Sequence, residues 1–393
     1  MLTLDEAIAH VLREVPEPSP VEMPLGDASG HVLAQDVLAD ADMPAFDRSA
    51  MDGYAVRSAD AASAGAKLRR VGESRPGGAP LTRSIEAGEC AAIYTGGAVP
   101  PGADAVVMVE RTREGGGVVE LAVAVRAGEN VRRQGEDARR GETLLERGQT
   151  MRPQEVAVCA FVGAHRVRVY APPAVAVLAS GDELVTHDAT PGAGQIRDSN
   201  APMLVAQVAR AGARGEYLGR IADDRAATSA VIEAAAARAG VVLITGGVSM
   251  GKYDYVAPVL EEIGFAGGFH RVKVKPGKPV WFGRRGAVLA FGLPGNPVSA
   301  FVLFEVLVRP ALHRLAGRAP GPRFEDRVLA GGPASPNDRE QLVPARVGDD
   351  GRVTLLEWSS SADLVELARA GVLARIAPGR AVRPGDTLPV LPI

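Results

Sequence analysis

Leu4, Ala7, Ile8, Val11, Leu12 and Val15 recur at helical spacing behind Thr3 and Glu6, a capping-box pair, so the chain is expected to open with an amphipathic helix. Pro16, Pro18 and Pro20 end it. Beyond Val21 the period changes: short β-like runs at 105–110 and 117–125 alternate with Gly and Pro clusters at 75–80 and 96–102, which predicts a mostly β stretch. Helical spacing returns at 153–162, with Val156, Ala157, Ala160 and Phe161 on one face, and Pro172-Pro173 marks a boundary near 171. From 174 to 317, apolar strand runs (174–179, 216–221, 241–245, 288–293) alternate with helical segments (202–211, 225–239, 255–263, 298–315). That alternation predicts a mostly parallel sheet covered on both faces, a three-layer α/β domain. Pro320 and Pro322 interrupt it, and the chain from 323 onward reads as short strands of a small β domain.

Length and charge narrow the picture. At about 150 residues per domain, 393 residues imply two to four domains. The balance of 44 basic against 47 acidic residues leaves no global positive field to attract a nucleic acid backbone. Cys90 and Cys159 are the only cysteines, which excludes a disulfide framework and an all-thiolate metal site and points to a reducing compartment. No two histidines stand at i, i+4, so a zinc site of the HExxH kind is out. The first residues lack the basic start and apolar stretch of a signal peptide, and no run approaches the roughly 18 apolar residues of a membrane span. A cytoplasmic protein is expected.

In an open α/β sheet, ligands bind beyond the carboxyl ends of the strands, and the candidate chemistry clusters at those exits. The run 241–245 leads into Gly246-Gly247-Val248-Ser249-Met250-Gly251-Lys252-Tyr253-Asp254, a glycine-rich turn whose N–H groups suit a phosphate. It nearly spells a P-loop, but Tyr253 stands where a Ser or Thr should meet magnesium. A tight turn that merely needs glycine is the bland alternative. The exit Phe291 to Ser299 puts Asn296 at an N-cap and Pro297 at the first helical position, with Pro294 and Gly295 before them making a stiff turn against which a planar heterocycle could lie. Lys273, Lys275 and Lys278 surround Pro276-Gly277, an arrangement that suits an oxyanion or, alternatively, a solvated basic edge. Asp182 and Glu183, Asp223 and Asp224, and Asp254 follow strand exits; carboxylates beside a phosphate imply a hard divalent cation such as magnesium, whereas Asp223 or Asp224 taken singly reads as a helix N-cap.

The strings Phe46 to Val56 (FDRSAMDGYAV), Thr245 to Tyr255 (TGGVSMGKYDY), Lys275 to Pro279 (KPGKP) and Gly292 to Ser299 (GLPGNPVS) resemble the molybdopterin molybdenumtransferase family, which includes bacterial MoeA and the gephyrin E-domain. The likeness runs over essentially the whole chain, Val131 to Asp137 (VRRQGED) included. It implies an elongated homodimer of four-part chains: an N-terminal helical and β segment (1–45 with 139–170), an inserted mostly β domain (46–138), an α/β molybdopterin-binding domain (171–317) and a C-terminal β domain (318–393). The implied reaction inserts molybdate into adenylylated molybdopterin with magnesium-dependent loss of AMP, the substrate being handed over by a molybdopterin adenylyltransferase. Residue by residue, the family's functional groups fall on Asp52, Thr95, Asp137, Glu183, Asp223 and Asp254. Glu183, Asp223 and Asp254 would hold magnesium; Gly246, Gly247 and Ser249 would cradle the terminal phosphate; Pro294, Asn296, Pro297 and Ser299 would shape the wall; and Lys275 and Lys278 would draw in molybdate, with Arg339 and Ser361 nearby. On this reading Asp52 and Asp137 reach the site from the other subunit. Lys252 and Tyr253 depart from the acidic residue many relatives carry before the Asp at 254. Two other functions stay open: a P-loop-like nucleotide hydrolase built on 246–252, and a pterin-binding scaffold without catalysis.

Overall fold

The computed structural model describes residues 1–222, 224–248 and 254–393; Asp223 and 249–253, and with them the expectations placed on Asp223 and Ser249, lie outside the described residues. The chain divides into two compact units, one of Met1–Ala34, Thr150–Arg152 and Val167–Ile393, the other of Gln35–Gln149 and Pro153–Arg166. Its α/β and β multidomain class is as expected from sequence.

The first unit opens with the expected helix, Leu4–Glu14. Glu6 N–H donates to Thr3 Oγ1 at 3.3 Å and the Thr3 N–H donates to Glu6 at 2.8 Å, closing the capping box. Leu4, Ala7 and Val11 are buried. Four parallel strands follow in the order Arg214–Ile221, Ala174–Ser180, Val241–Thr245, Val288–Leu293. Their side chains alternate between two cores: Val175, Val177, Val241 and Leu243 join the cluster that holds the first helix, while Ala176, Leu178, Val242 and Ile244 face Ile232, Val256 and Leu260. That period of two, with apolar residues on both faces, is what makes the sheet the middle of three layers. Each such Val, Leu or Ile contributes about 1.5–3 kcal/mol by leaving water.

Two further strands extend the sheet, Trp281–Arg285 antiparallel to Val288–Leu293 and Ala266–His270 antiparallel in turn to Trp281–Arg285. Neither was among the strand runs expected from sequence, because the first is short and basic at its end and the second contains Gly267 and Gly268. The long helix expected at 298–315 is three pieces: Pro297–Leu303, a π-helical turn Phe304–Val308, and Arg309–Leu315. The π-turn carries the fully buried Glu305, which accepts from Gln207 Nε2 at 2.7 Å and pairs with Arg210 and with Arg309 at 3.2 Å. These bonds tie the helix Asn200–Arg210 to this segment.

The C-terminal sheet is six-stranded and includes Val274–Lys275, which runs parallel to Glu340–Val347 with Lys275 opposite Gln341. The basic turn is thus held as an edge strand of that sheet. In the second unit, Gly53–Val56 is a central strand of another six-stranded sheet, between Glu89–Ile93 and Ala105–Met108. No described helix is long and apolar enough to cross a membrane.

His313, on the helix Arg309–Leu315, has its pKa pushed down to about 4 by burial and then by Arg309, Arg318 and Arg323. Between that value and the ordinary 6.5, the unfolded chain takes up a proton that the folded chain refuses, so stability must fall as pH drops through this window. The difference in unfolding free energy from urea titrations between pH 7 and pH 5 is expected to be larger for the wild type than for His313→Gln, by on the order of 1–2 kcal/mol after solvent screening.

Candidate functional site

The strand order places a topological switch point between Ala174–Ser180 and Val241–Thr245, since the chain leaves the first of these toward one sheet edge and returns on its other side. The carboxyl ends of both strands open there into a cavity of about 650 Å³. Gly246 and Gly247 floor it, at φ 88° and 65°, conformations that glycine adopts without strain. A Cβ on Gly246 would stand 2.3 Å from the Ser180 carbonyl oxygen, so the two strand exits touch only because no side chain intervenes.

The loops are fastened to one another by buried hydrogen bonds. Asn200 Nδ2 donates to Thr245 Oγ1 and to the Gly295 carbonyl, both at 2.8 Å, and Thr245 Oγ1 donates to the Pro294 carbonyl at 3.1 Å. The Gly246 N–H reaches the Leu293 carbonyl at 2.9 Å. Asp198 caps the helix Asn200–Arg210, its Oδ1 accepting from the N–H groups of Asn200 and Ala201 at 3.0 Å each. Neither Asp198 nor Asn200 was among the candidates from sequence. The signal was there, an acidic residue and an Asn ahead of a helix, but it is indistinguishable from ordinary capping.

Glu183 and Asp254 line the same cavity, and so do Pro294, Asn296 and Pro297. The Glu183 side chain lies over Gly181, where a Cβ would meet its carboxylate at 2.5 Å. Asp224 N-caps the helix Arg225–Arg238, accepting from the Ala227 N–H at 2.9 Å, so for this acid the bland reading is the one observed. Asn296 occupies the N-cap of Pro297–Leu303 but makes no side-chain cap; its Nδ2 donates instead to Ser361 Oγ at 2.8 Å.

A second cavity, of about 530 Å³, shares Pro279, Pro294 and Asn296 with the first. Lys275 and Lys278 line it, with Ser299, Arg339 and Ser361. Arg339 Nη1 donates to the Val274 carbonyl at 3.2 Å, and the Ser361 carbonyl accepts from the Val298 N–H at 3.0 Å. Lys273, expected to share a face with Lys275, is exposed and is not part of this lining.

Asp52, Thr95 and Asp137 belong to the second unit. Asp52 Oδ1 accepts from the Thr95 N–H at 2.7 Å and from Thr95 Oγ1 at 2.8 Å, and these bonds, the backbone one foremost, hold its carboxyl below the usual carboxylate range. Asp137 is paired with Arg132.

The first cavity offers carboxylate and carbonyl oxygen and no sulfur ligand among its described residues. Among the described residues no three His, Cys, Asp or Glu stand close enough to form a metal cage. Magnesium is bound by one or two carboxylates plus substrate phosphates rather than by such a cage, so Glu183 and Asp254 fit an ion that arrives with a phosphate.

Residues 2–163 match the model for the MoeA N-terminal region (domain I and II), and residues 176–314 match the one described as "Probable molybdopterin binding domain". A molybdopterin molybdenumtransferase of Bacillus subtilis is 33% identical over 99% of this chain and 94% of its own length. One from Haemophilus influenzae is 36% identical over 81% of this chain and 78% of its own. A crystal structure of the molybdopterin biosynthesis MoeA protein from Pyrococcus horikoshii superposes with a TM-score of 0.84 at 27% identity, covering 100% of both chains.

The Gly246 geometry makes a direct prediction. Gly246→Ala drives a methyl into the Ser180 carbonyl and forces the left-handed conformation on alanine, a combined cost of about 2–4 kcal/mol borne by the two loops. Thermal unfolding should show this loss, whereas Gly267→Ala, at φ 80° with open space around the added methyl, should lose only the smaller conformational share.

Proposed function

The chain belongs to the molybdopterin molybdenumtransferase family, and from that membership we propose that it is a transferase that inserts molybdenum from molybdate into adenylylated molybdopterin and releases AMP. The observation that carries the reading is the pair of joined cavities, one floored by glycine backbone and edged by carboxylates, the other lined by ammonium and guanidinium groups. A substrate carrying phosphate, a dithiolene and a pterin, and a dianionic co-substrate, need those two environments side by side.

Gly247 and Ser249 receive the terminal phosphate through backbone N–H groups, and Gly246, whose own N–H is taken by the Leu293 carbonyl, completes the cradle by letting the phosphate lie close to the backbone. Pro294, Asn296, Pro297 and Ser299 form the wall between the two cavities. Lys275 and Lys278 attract molybdate and offset the charge of the departing AMP, with Arg339 and Ser361 beside them. Glu183, Asp223 and Asp254 are the groups that would hold magnesium, which when bound supplies neutralisation of the phosphoanhydride charge. The soft ligands of molybdenum are the sulfurs of the substrate, so protein thiolates are not required. Burial pushes the Cys90 thiol up to about 12, and Cys159 is buried too, which keeps both out of the chemistry.

The same reading assigns Asp52, Thr95 and Asp137 to the reaction and makes the working form a cytoplasmic homodimer supplied by a molybdopterin adenylyltransferase. It divides the chain at 46, 139, 171 and 318.

The test is to mix the purified protein with adenylylated molybdopterin, molybdate and magnesium, then follow AMP and the reconstitution of a cofactor-free molybdoenzyme. Asp254→Ala should keep pterin binding and lower AMP release by about 100-fold or more, and Lys275→Ala should raise the molybdate requirement about tenfold. Silence of the folded wild type in both assays removes the proposal. Robust ATP turnover without pterin would favour the P-loop reading, against which Tyr253 stands in the hydroxyl position.

A further inference from the structure

The second cavity is larger than the oxyanion assigned to it requires. Its volume of about 530 Å³ is that of a site for an organic ligand, whereas molybdate is one compact tetrahedron. Its lining is also divided along the strand Glu340–Val347. Lys275 stands opposite Gln341, and Arg339 immediately precedes the strand. Val343 lies two residues on from Gln341, on the same face and about 6–7 Å farther along, and it too lines the cavity. Ala334 and Trp358 pack beside Val343 in one apolar cluster. Cations thus mark one end of this lining and an apolar, aromatic group the other.

Trp358 is half-buried and held in place. It packs against two cores, one containing Leu342 and Leu373 and the other Val343 and Ala374, and still contributes to the cavity wall. The chain on either side of it is fixed: the Leu356 N–H donates to the Pro344 carbonyl at 2.9 Å, and Ser361 is bonded to Asn296 and to the Val298 N–H. Trp281, the other tryptophan, is 3% exposed and turns its N–H toward Glu261, so it offers no such face. A fixed indole in a roomy cavity is a platform for a planar ring, because stacking gains area and quadrupole attraction with little side-chain entropy to lose.

Two parts of the proposed substrate are planar, the pterin and the adenine, and connectivity chooses between them. The dithiolene sulfurs that take the metal sit on a ring fused to the pterin, so the pterin lies next to wherever molybdate is held. The adenine is attached beyond both phosphates. With the terminal phosphate on the glycine backbone of the first cavity and molybdate beside Lys275 and Lys278, the dithiolene falls at the shared wall of Pro279, Pro294 and Asn296. The pterin then extends into the second cavity, and the adenosine is left on the other side.

We infer that Trp358 stacks on the pterin ring, with Ala334 and Val343 completing a subsite for that ring beside the molybdate. This rests on the proposed function, and it adds to that reading the direction in which the substrate lies across the two cavities and the residue that anchors its ring.

The experiment uses the full-length protein and two probes, 6-hydroxymethylpterin and AMP, in equilibrium dialysis. Trp358→Leu should weaken the pterin about tenfold and leave AMP within about twofold, and Trp358→Phe, which keeps an aromatic face, should recover most of the loss. On binding to the wild type the pterin absorption band should weaken and shift to the red, as stacked rings do, and this change should vanish with Trp358→Leu. Thermal unfolding checks that the variants are folded; if Trp358→Leu is not, the absorption change in the wild type decides, and its absence refutes the inference. An unchanged pterin affinity in Trp358→Leu, an equal loss of pterin and AMP, or a loss confined to AMP overturns it, the last because it would seat adenine on the indole and reverse the substrate. If the bare pterin binds too weakly to measure, the KM for adenylylated molybdopterin decides. Trp358→Leu should raise it about tenfold with smaller changes in kcat and in the molybdate requirement, and an unchanged KM or an equal rise for both substrates refutes the assignment. A wild type that binds pterin through Trp358 yet releases no AMP would sink the molybdenum-transfer reading alone, whereas AMP release with pterin binding indifferent to Trp358 would sink this inference alone.

Discussion

The buried amide of Asn200 is the joint on which the site depends. Its two donors reach the strand end at Thr245 and the turn at Gly295, and Thr245 passes a further bond on to the Pro294 carbonyl. Three chain segments far apart in sequence are thereby held at one point, with Thr245 2% exposed and Asn200 8%. In so dry a place each bond counts for more than it would at the surface, and a missing partner costs more than a bond gains. The turn 294–296 contains Pro294 and no long side chain, so without this net nothing but the Gly246 to Leu293 backbone bond would fix its distance from the glycine floor.

Charge is sorted on either side of that joint. Acids predominate in the described lining of the first cavity, where Glu183, Asp198 and Asp254 stand with Arg197, and cations in the second, where Lys275, Lys278 and Arg339 stand with Glu357. With the wall of Pro279, Pro294 and Asn296 between them, each cavity keeps an excess of one sign for what enters. The net charge of -3 hides this arrangement completely, because steering depends on where charge sits and not on its sum.

What could be read from the sequence was what repeats. The parallel strands are unbroken apolar runs, and the first helix carries its cap and its stripe in plain view, so both appear where the pattern puts them. Gly246, Gly247, Pro294 and Pro297 stood out because strand exits in this architecture are where ligands meet backbone. The strand Ala266–His270 was illegible because Gly267 and Gly268 erase its period; a Cβ on Gly268 would meet the Phe282 carbonyl oxygen at 1.4 Å, so the glycine serves close approach of the neighbouring strand. Asp198 and Asn200 were missed for a different reason. Their types and positions spell a helix cap, and only the three-dimensional structure reveals that both line the switch-point cavity and that the Asn200 amide joins Thr245 to Gly295.

The C-terminal sheet completes the argument, since it is what makes the basic cavity a structure and not a loop. Val274–Lys275 is paired to Glu340 and Gln341, Arg339 donates to the Val274 carbonyl, and Asn296 gives up capping its own helix to bond Ser361. The pairing costs the Lys275 segment its freedom on folding, so its charge is already held in place and an anion binding there would leave less entropy to be lost. Because Asn296 lies on the wall shared by both cavities and is held by Ser361, anything that shifts the C-terminal segment moves the partition between the two cavities. The two halves of the site are mechanically one, although the residues that build them are separated along the chain by more than a hundred positions.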